Sequence, residues 1–131
     1  MQFDWLRDRS GIFSRDIVRF CRSLPHDDLT RQLARQLQAA GTSVAANYHA
    51  CCRARSRAEF IAKIGIVVEE ADEAVFWLST MKESHIASGA DVDVLLQEAR
   101  ELRAIFARSR STAVHNAARA RKASHANRGH E

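Results

Sequence analysis

Helix breakers are scarce in this chain: one proline, Pro25, and five glycines in 131 residues. With so few, and with Ala, Leu, Arg and Glu abundant, the composition is that of an all-helical protein. No apolar run approaches the roughly 20 residues needed to cross a bilayer, which excludes a membrane-spanning helix. The segment from Met1 to Asp8 mixes both charges and lacks the apolar stretch of a secretory signal. Cysteine is limited to Cys21, Cys51 and Cys52, with no CxxC spacing. An odd number containing an adjacent pair is a poor disulfide framework, so a reduced, cytoplasmic protein without a membrane partner is expected.

The length fits one domain able to bury a single core. Its formal charge of +4 is unevenly placed. From Ala107 to Glu131 six Lys/Arg face one acid, whereas the other 106 residues carry 14 basic and 15 acidic groups. The basic excess is a C-terminal feature, suited to phosphate or to keeping a tail solvated.

Apolar spacing predicts four helices. The first covers about residues 9 to 23, with Phe13, Ile17, Phe20 and Leu24 on one face and Pro25 ending it. Asp27 or Asp28 caps the second, whose seam is Leu29, Leu33, Leu37, Ala40, Val44, Tyr48 and Cys51. Ser56-Arg57-Ala58-Glu59 reads as a reciprocal cap opening the third, with a core stripe of Phe60, Ile64, Val67, Val68, Ala71, Val75 and Leu78. The fourth starts near Asp91 with Val92, Leu95, Ala99, Leu102 and Phe106 as its seam, extending to Ser109 and Ala113. The expected fold is an antiparallel up-down four-helix bundle over residues 1–118, followed by a basic, unstructured tail, 119–131.

The third helix is apolar on two faces. With Phe60 at zero and about 100° per residue, the core stripe falls between about −40° and +100°. Phe76, Ile66 and Trp77 fall near ~160°, ~240° and ~260°, with Glu69 and Glu73 among them near ~180° and ~220°. Scattered exposed hydrophobes are ordinary on a monomer. Two aromatics and an Ile with carboxylates between them fit a subunit contact better.

The same stretch carries a resemblance. Ser43, Val44 and Asn47, a basic loop, then Glu59, Phe60, Ile61, Glu69 and Glu73 fall in register with a four-helix bundle family. That family was first noticed as reading frames in intervening sequences of bacterial large-subunit ribosomal RNA genes. Its relatives include accessory proteins of diversity-generating retroelements. The chain departs from the family pattern at Ala45, where the family has Pro, and at His49-Ala50-Cys51, where it has Ala-Glu-Gly. The resemblance implies a homopentamer with no catalytic residues and, for the retroelement relatives, binding of nucleic acid and a reverse transcriptase.

Other constellations are weaker. A di-iron bundle needs inward Glu-x-x-His pairs, and none occurs. His49-Ala50-Cys51-Cys52 fits no zinc spacing, so neither metal nor cofactor is expected, and buried thiols acting as small apolar groups are favoured. Ser43 and Asn47 are expected to be structural, with Asn47 bonding across the bundle or to a carbonyl. Arg110 and His115 give the Arg-x4-His spacing that resembles the HEPN ribonuclease motif, which is the enzymatic alternative to a non-catalytic protein. Arg53, Arg55, Arg57 and Lys63, with Arg108 and Arg110, can line a surface that contacts phosphates of RNA or DNA. No aromatics interleave with them, so base stacking is not supported. Solubility and pairing with acidic faces of neighbouring subunits are equally good uses of these charges, leaving assembly without nucleic acid as a third possibility.

Overall fold

The computed structural model describes residues 4–129; Met1–Phe3 and His130–Glu131, the outer ends of the two expected segments, lie outside the described residues. Four helices make up the fold: α1 (Asp4–Ser23), α2 (Asp28–Cys52), α3 (Arg57–Glu83) and α4 (Ala90–Arg128). α1 and α3 each pack on α2 and α4 and not on each other. The helices therefore run up-down-up-down around a square, as short connections favour. Phe13 and Ile17, Leu37 and Val44, Ile64 and Leu78, and Val92 and Leu102 bring all four helices into one buried cluster. Tyr48 of α2 meets Phe106 of α4 across it, ring centroids 5.1 Å apart.

Local chemistry sets each boundary. Asp27, of the two candidates, caps α2: its carboxylate accepts from the Thr30 amide at 2.9 Å and the Thr30 hydroxyl at 2.8 Å. These hydrogen bonds hold the Asp27 carboxyl below the usual carboxylate range. They also turn Thr30 into the core, and Leu29, expected in the seam, is left exposed. At α3 the Ser56 hydroxyl accepts from the Glu59 amide at 3.1 Å. The returning Glu59 carboxylate takes the amide of Arg55, 3.4 Å away, rather than that of Ser56.

α3 ends where His85 adopts φ 58°, in the left-handed region. The His85 and Ile86 amides fold back to the carbonyls of Lys82 and Met81 at 3.2 and 3.0 Å. This satisfies end carbonyls of α3, and half-buried Ile86 packs onto the core. Glycine is the residue that makes such a turn without strain.

Two boundaries differ from expectation. α1 begins at Asp4, because Leu6 and Ser10 carry the buried face two turns upstream of Phe13. Ser10 hides this in the sequence, yet its hydroxyl is satisfied by the Arg7 carbonyl at 2.9 Å. α4 does not stop near Ala118 but continues to Arg128, exposed throughout from Arg119. No glycine or proline interrupts it before Gly129, and alanine recurs along it.

The tightest helix contact is α1 on α2. A methyl group at Gly41 would lie 2.9 Å from Ile17 Cγ2. The buried Ser14 hydroxyl donates to the Gly41 carbonyl at 2.7 Å. Gly41→Ala is therefore expected to lower unfolding free energy by about 1–3 kcal/mol through overpacking. His85→Gly is expected to raise it by about 1 kcal/mol by removing left-handed strain. Urea unfolding of the two variants checks both signs.

Candidate nucleic-acid interface and subunit face

α3 and α4 run antiparallel in a register marked by ion pairs. Arg103 Nη1 lies 2.6 Å from Asp72 Oδ1, and Lys82 Nζ lies 2.7 Å from Asp93 Oδ1. Further along, Arg110 lies against Gly65. At the start of α3, Arg57 donates to the Asn116 carbonyl at 3.0 Å. This register puts the α2–α3 loop, with Arg53 and Arg55, level with residue 116 of α4. Arg53, Arg55, Arg57, Arg108 and Arg110 are all exposed at this end of the bundle. Lys63 stands apart: its ammonium is paired with Glu59 Oε1 at 3.0 Å, leaving it little charge to offer.

No acid lies between Glu101 and Glu131. Beyond Asn116 the helix adds exposed Arg119, Arg121, Lys122 and Arg128. These four were legible as charges but not as a helical array. The useful signal was alanine at 117, 118, 120, 123 and 126.

The outer face of α3 is partly as expected. Ile66 and Phe76 are exposed, at 43% and 57%, with Glu69 and Glu73 exposed beside them. Trp77 is a correction: it does not project fully outward but lies half-buried against the core, and with Gln32, Leu33, Arg35 and Gln36 of α2 it walls a cleft. Its indole N–H donates to Glu73 Oε1 at 3.2 Å, and its ring meets Phe76 edge-on. At ~260° it sits on the flank facing α2, not on the far side.

A second apolar face spans α1 and α4. Trp5 and Ile12 of α1 and Val94 of α4 are each more than half exposed. They flank a seam tied by Arg9, whose guanidinium reaches Glu98 at 2.9 Å and Glu101 at 2.7 Å. Beside it opens a 340 Å³ cleft lined by Asp16, Arg19, Phe20, Ser23, Asp91, Val94 and Leu95.

The remaining residues take quieter places. Asn47 is half-buried and donates to the Ser43 carbonyl at 2.9 Å, within its own helix. Arg110 and His115 are both exposed and five residues apart, so they leave α4 about 140° from each other. Among the described residues no three His, Cys, Asp or Glu side chains gather closely enough to hold a metal ion. Burial pushes the thiol of Cys21 up to about 11 and that of Cys51 up to about 12. No helix among the described residues is long and apolar enough to cross a membrane.

The model of the 23S rRNA-intervening sequence protein family matches residues 7–108. The chain belongs to that family. The family region takes in all four helices, missing only the first turn of α1, and stops two residues after Phe106, the last buried side chain of α4. The fold is similar to a crystal structure of a protein of unknown function from the S23 ribosomal protein family of Bacteroides thetaiotaomicron. The two share 26% identity and a TM-score of 0.71, covering 76% of this chain and 93% of the other. A comparison with curated proteins gives no match.

Glu70 offers a pH test of this intervening-sequence family bundle. Burial on the α2-facing flank of α3, then the neighbouring Glu73 and Glu69 charges, raise its pKa above the usual value. A raised carboxyl pKa means the folded state takes up a proton more readily than the unfolded chain. Ionisation therefore costs stability in full above the folded pKa; the cost is relieved as pH falls through that pKa and is gone below the unfolded value of about 4.3. Glu70→Gln is expected to raise the melting temperature at pH 7 and to lose that advantage near pH 4, as followed by thermal circular dichroism.

Proposed function

We propose that this family member is a non-enzymatic, homo-oligomeric scaffold that holds nucleic acid against the basic ends of its subunits. The observation that carries the proposal is the gathering of Arg53, Arg55 and Arg57 with the acid-free half of α4 at one end of the bundle. Such a field attracts phosphate without reading bases, and repetition around an oligomer multiplies weak contacts through avidity.

Assembly is supported by the two apolar outer faces. Ile66 and Phe76 belong to α3, and Trp5 and Ile12 to α1, helices diagonally opposed in the square. Different faces on opposite sides suit a head-to-tail contact, which closes into a ring when the rotation fits. Five subunits is the number that the family resemblance implies. Light scattering is expected to give a mass near five times 14.7 kDa, and Phe76→Glu to reduce it while the helical signal persists. A wild-type protein that stays monomeric at micromolar concentration would contradict the scaffold.

For nucleic acid, fluorescence anisotropy with duplex DNA and structured RNA is expected to show sequence-indifferent binding that weakens steeply with salt. Replacing Arg53, Arg55 and Arg57 with Ser is expected to lower both the affinity and the salt slope. No binding at about 50 mM salt, where phosphate contacts are strong, would end this part of the proposal.

A further inference from the structure

The part of α4 beyond the family region is built differently from the rest of the molecule. The family match stops at residue 108, and the helix runs on to Arg128. Beyond the tie to α3 at Asn116, Ala117 and Ala118 are half-buried and Arg119 to Arg128 are exposed throughout; from Ala117 the stretch is a rod of about 18 Å. It carries Arg119, Arg121, Lys122 and Arg128 and no acid.

Its sides show what it can meet. An amphipathic arm for a membrane or a protein groove needs an apolar stripe. Here the residues between the cations are Ala, Ser, His and Asn, with no large apolar group from Ala117 onward. An apolar groove would bury these cations and gain only alanine methyls in return. There is no aromatic residue on which single-stranded bases can stack.

The cations fall in two rows. At about 100° per residue, Arg121 and Arg128 continue the line of Arg110, while Arg119 and Lys122 continue the line of Arg108, about 140° around the axis. A helix is roughly 10–12 Å across, close to the width of about 12 Å of the B-form major groove. A rod with a basic row on each flank, and Ala118 and His125 between the rows, presents a cation to both phosphate walls. Along about 18 Å of duplex axis there are on the order of ten phosphate charges, enough for each cation to find one.

We infer that the α4 arm lies in the groove of a double-helical nucleic acid and grips the phosphate backbones of both strands through Arg119, Arg121, Lys122 and Arg128. This rests on the nucleic-acid function proposed above and assigns it an element, a binding geometry and a substrate class. Because a regular A-form major groove is too deep and narrow for a helix, the ligand is a B-form duplex or an RNA helix opened by a bulge.

The test measures anisotropy of the full chain across a salt series. The probes are a B-form DNA duplex, a regular RNA duplex, a bulged RNA hairpin and an unstructured single strand. Substituting all four cations with Gln, a good helix former, is expected to leave the helical signal in place. The slope of log affinity against log salt on DNA should fall by about 0.9 per lost contact, up to about 3.6. Truncation after Ala118 should give the same drop, which guards against misfolding of the substituted chain. Duplex DNA and bulged RNA should bind at least about tenfold tighter than regular RNA duplex or single strand, a gap of about 1.4 kcal/mol. If the wild type binds and both arm variants match it in slope, the arm inference is overturned and binding belongs to the Arg53–Arg57 loop. Equal or tighter binding of single strand or regular RNA duplex overturns the groove geometry. If the wild type binds none of the four probes, the nucleic-acid function itself fails.

Discussion

The rest of the structure depends on the antiparallel register of α3 against α4. Four points along the seam define it, from Lys82 beside Asp93, through Asp72 with Arg103 and Gly65 with Arg110, to Arg57 at Asn116. Exposed ion pairs of this kind contribute little stability individually. The apolar residues between them, Ile64, Val67, Leu78, Leu96, Leu102 and Phe106, supply the burial. The pairs select the alignment, and the alignment decides what else can happen. α3 is 27 residues long and α4 is 39. Once α3 is matched to the first part of α4, the excess of α4 has nothing opposite it and projects from the end that carries the arginine loop.

Charge follows from that mismatch. Acids cluster at the other end of the bundle, where Asp27, Asp28, Asp91 and Asp93 sit in or before the first turns of α2 and α4 and complement their helix dipoles. Cations take over along the later half of α4, which is tied to α3 at Arg110 and Asn116 and is exposed throughout from Arg119. A segment in that position gains little from burial and keeps its shape mainly through alanine propensity. Like charges along it repel, and a polyanion relieves that repulsion. The same residues that make the arm a poor core element make it a good phosphate ligand.

Much of this was legible from spacing alone. Val44, Tyr48 and Cys51, or Val92, Ala99 and Phe106, are buried because their period matches the helix and nothing local competes. Ser56 is readable as a cap for the same reason that Asp27 or Asp28 is: a short oxygen-bearing side chain ahead of a periodic run. The failures have separate causes. Period alone places Leu29 in the core, but the Asp27 cap sets the first turn and turns Thr30 inward instead. Trp77 lies at the edge of the outer face by angle, close enough to α2 for its ring to pack partly against the core. Trp5, Ile12 and Val94 became one face only when α1 met α4, a pairing that no single-helix pattern contains. In sequence the arm reads as a tail because apolar periodicity ends before it, although helix propensity continues.

The most direct test of the central claim, that the basic end of the bundle is its binding end, is amide hydrogen exchange on the full chain with and without a DNA duplex at low salt. The account predicts slowed exchange at residues 53–57 and along 117–128, with the core unchanged and the acidic end around Asp91 unaffected. Protection confined to the outer face of α3 or to the Trp5 and Ile12 face, with exchange in the arm unaltered by bound duplex, would contradict it.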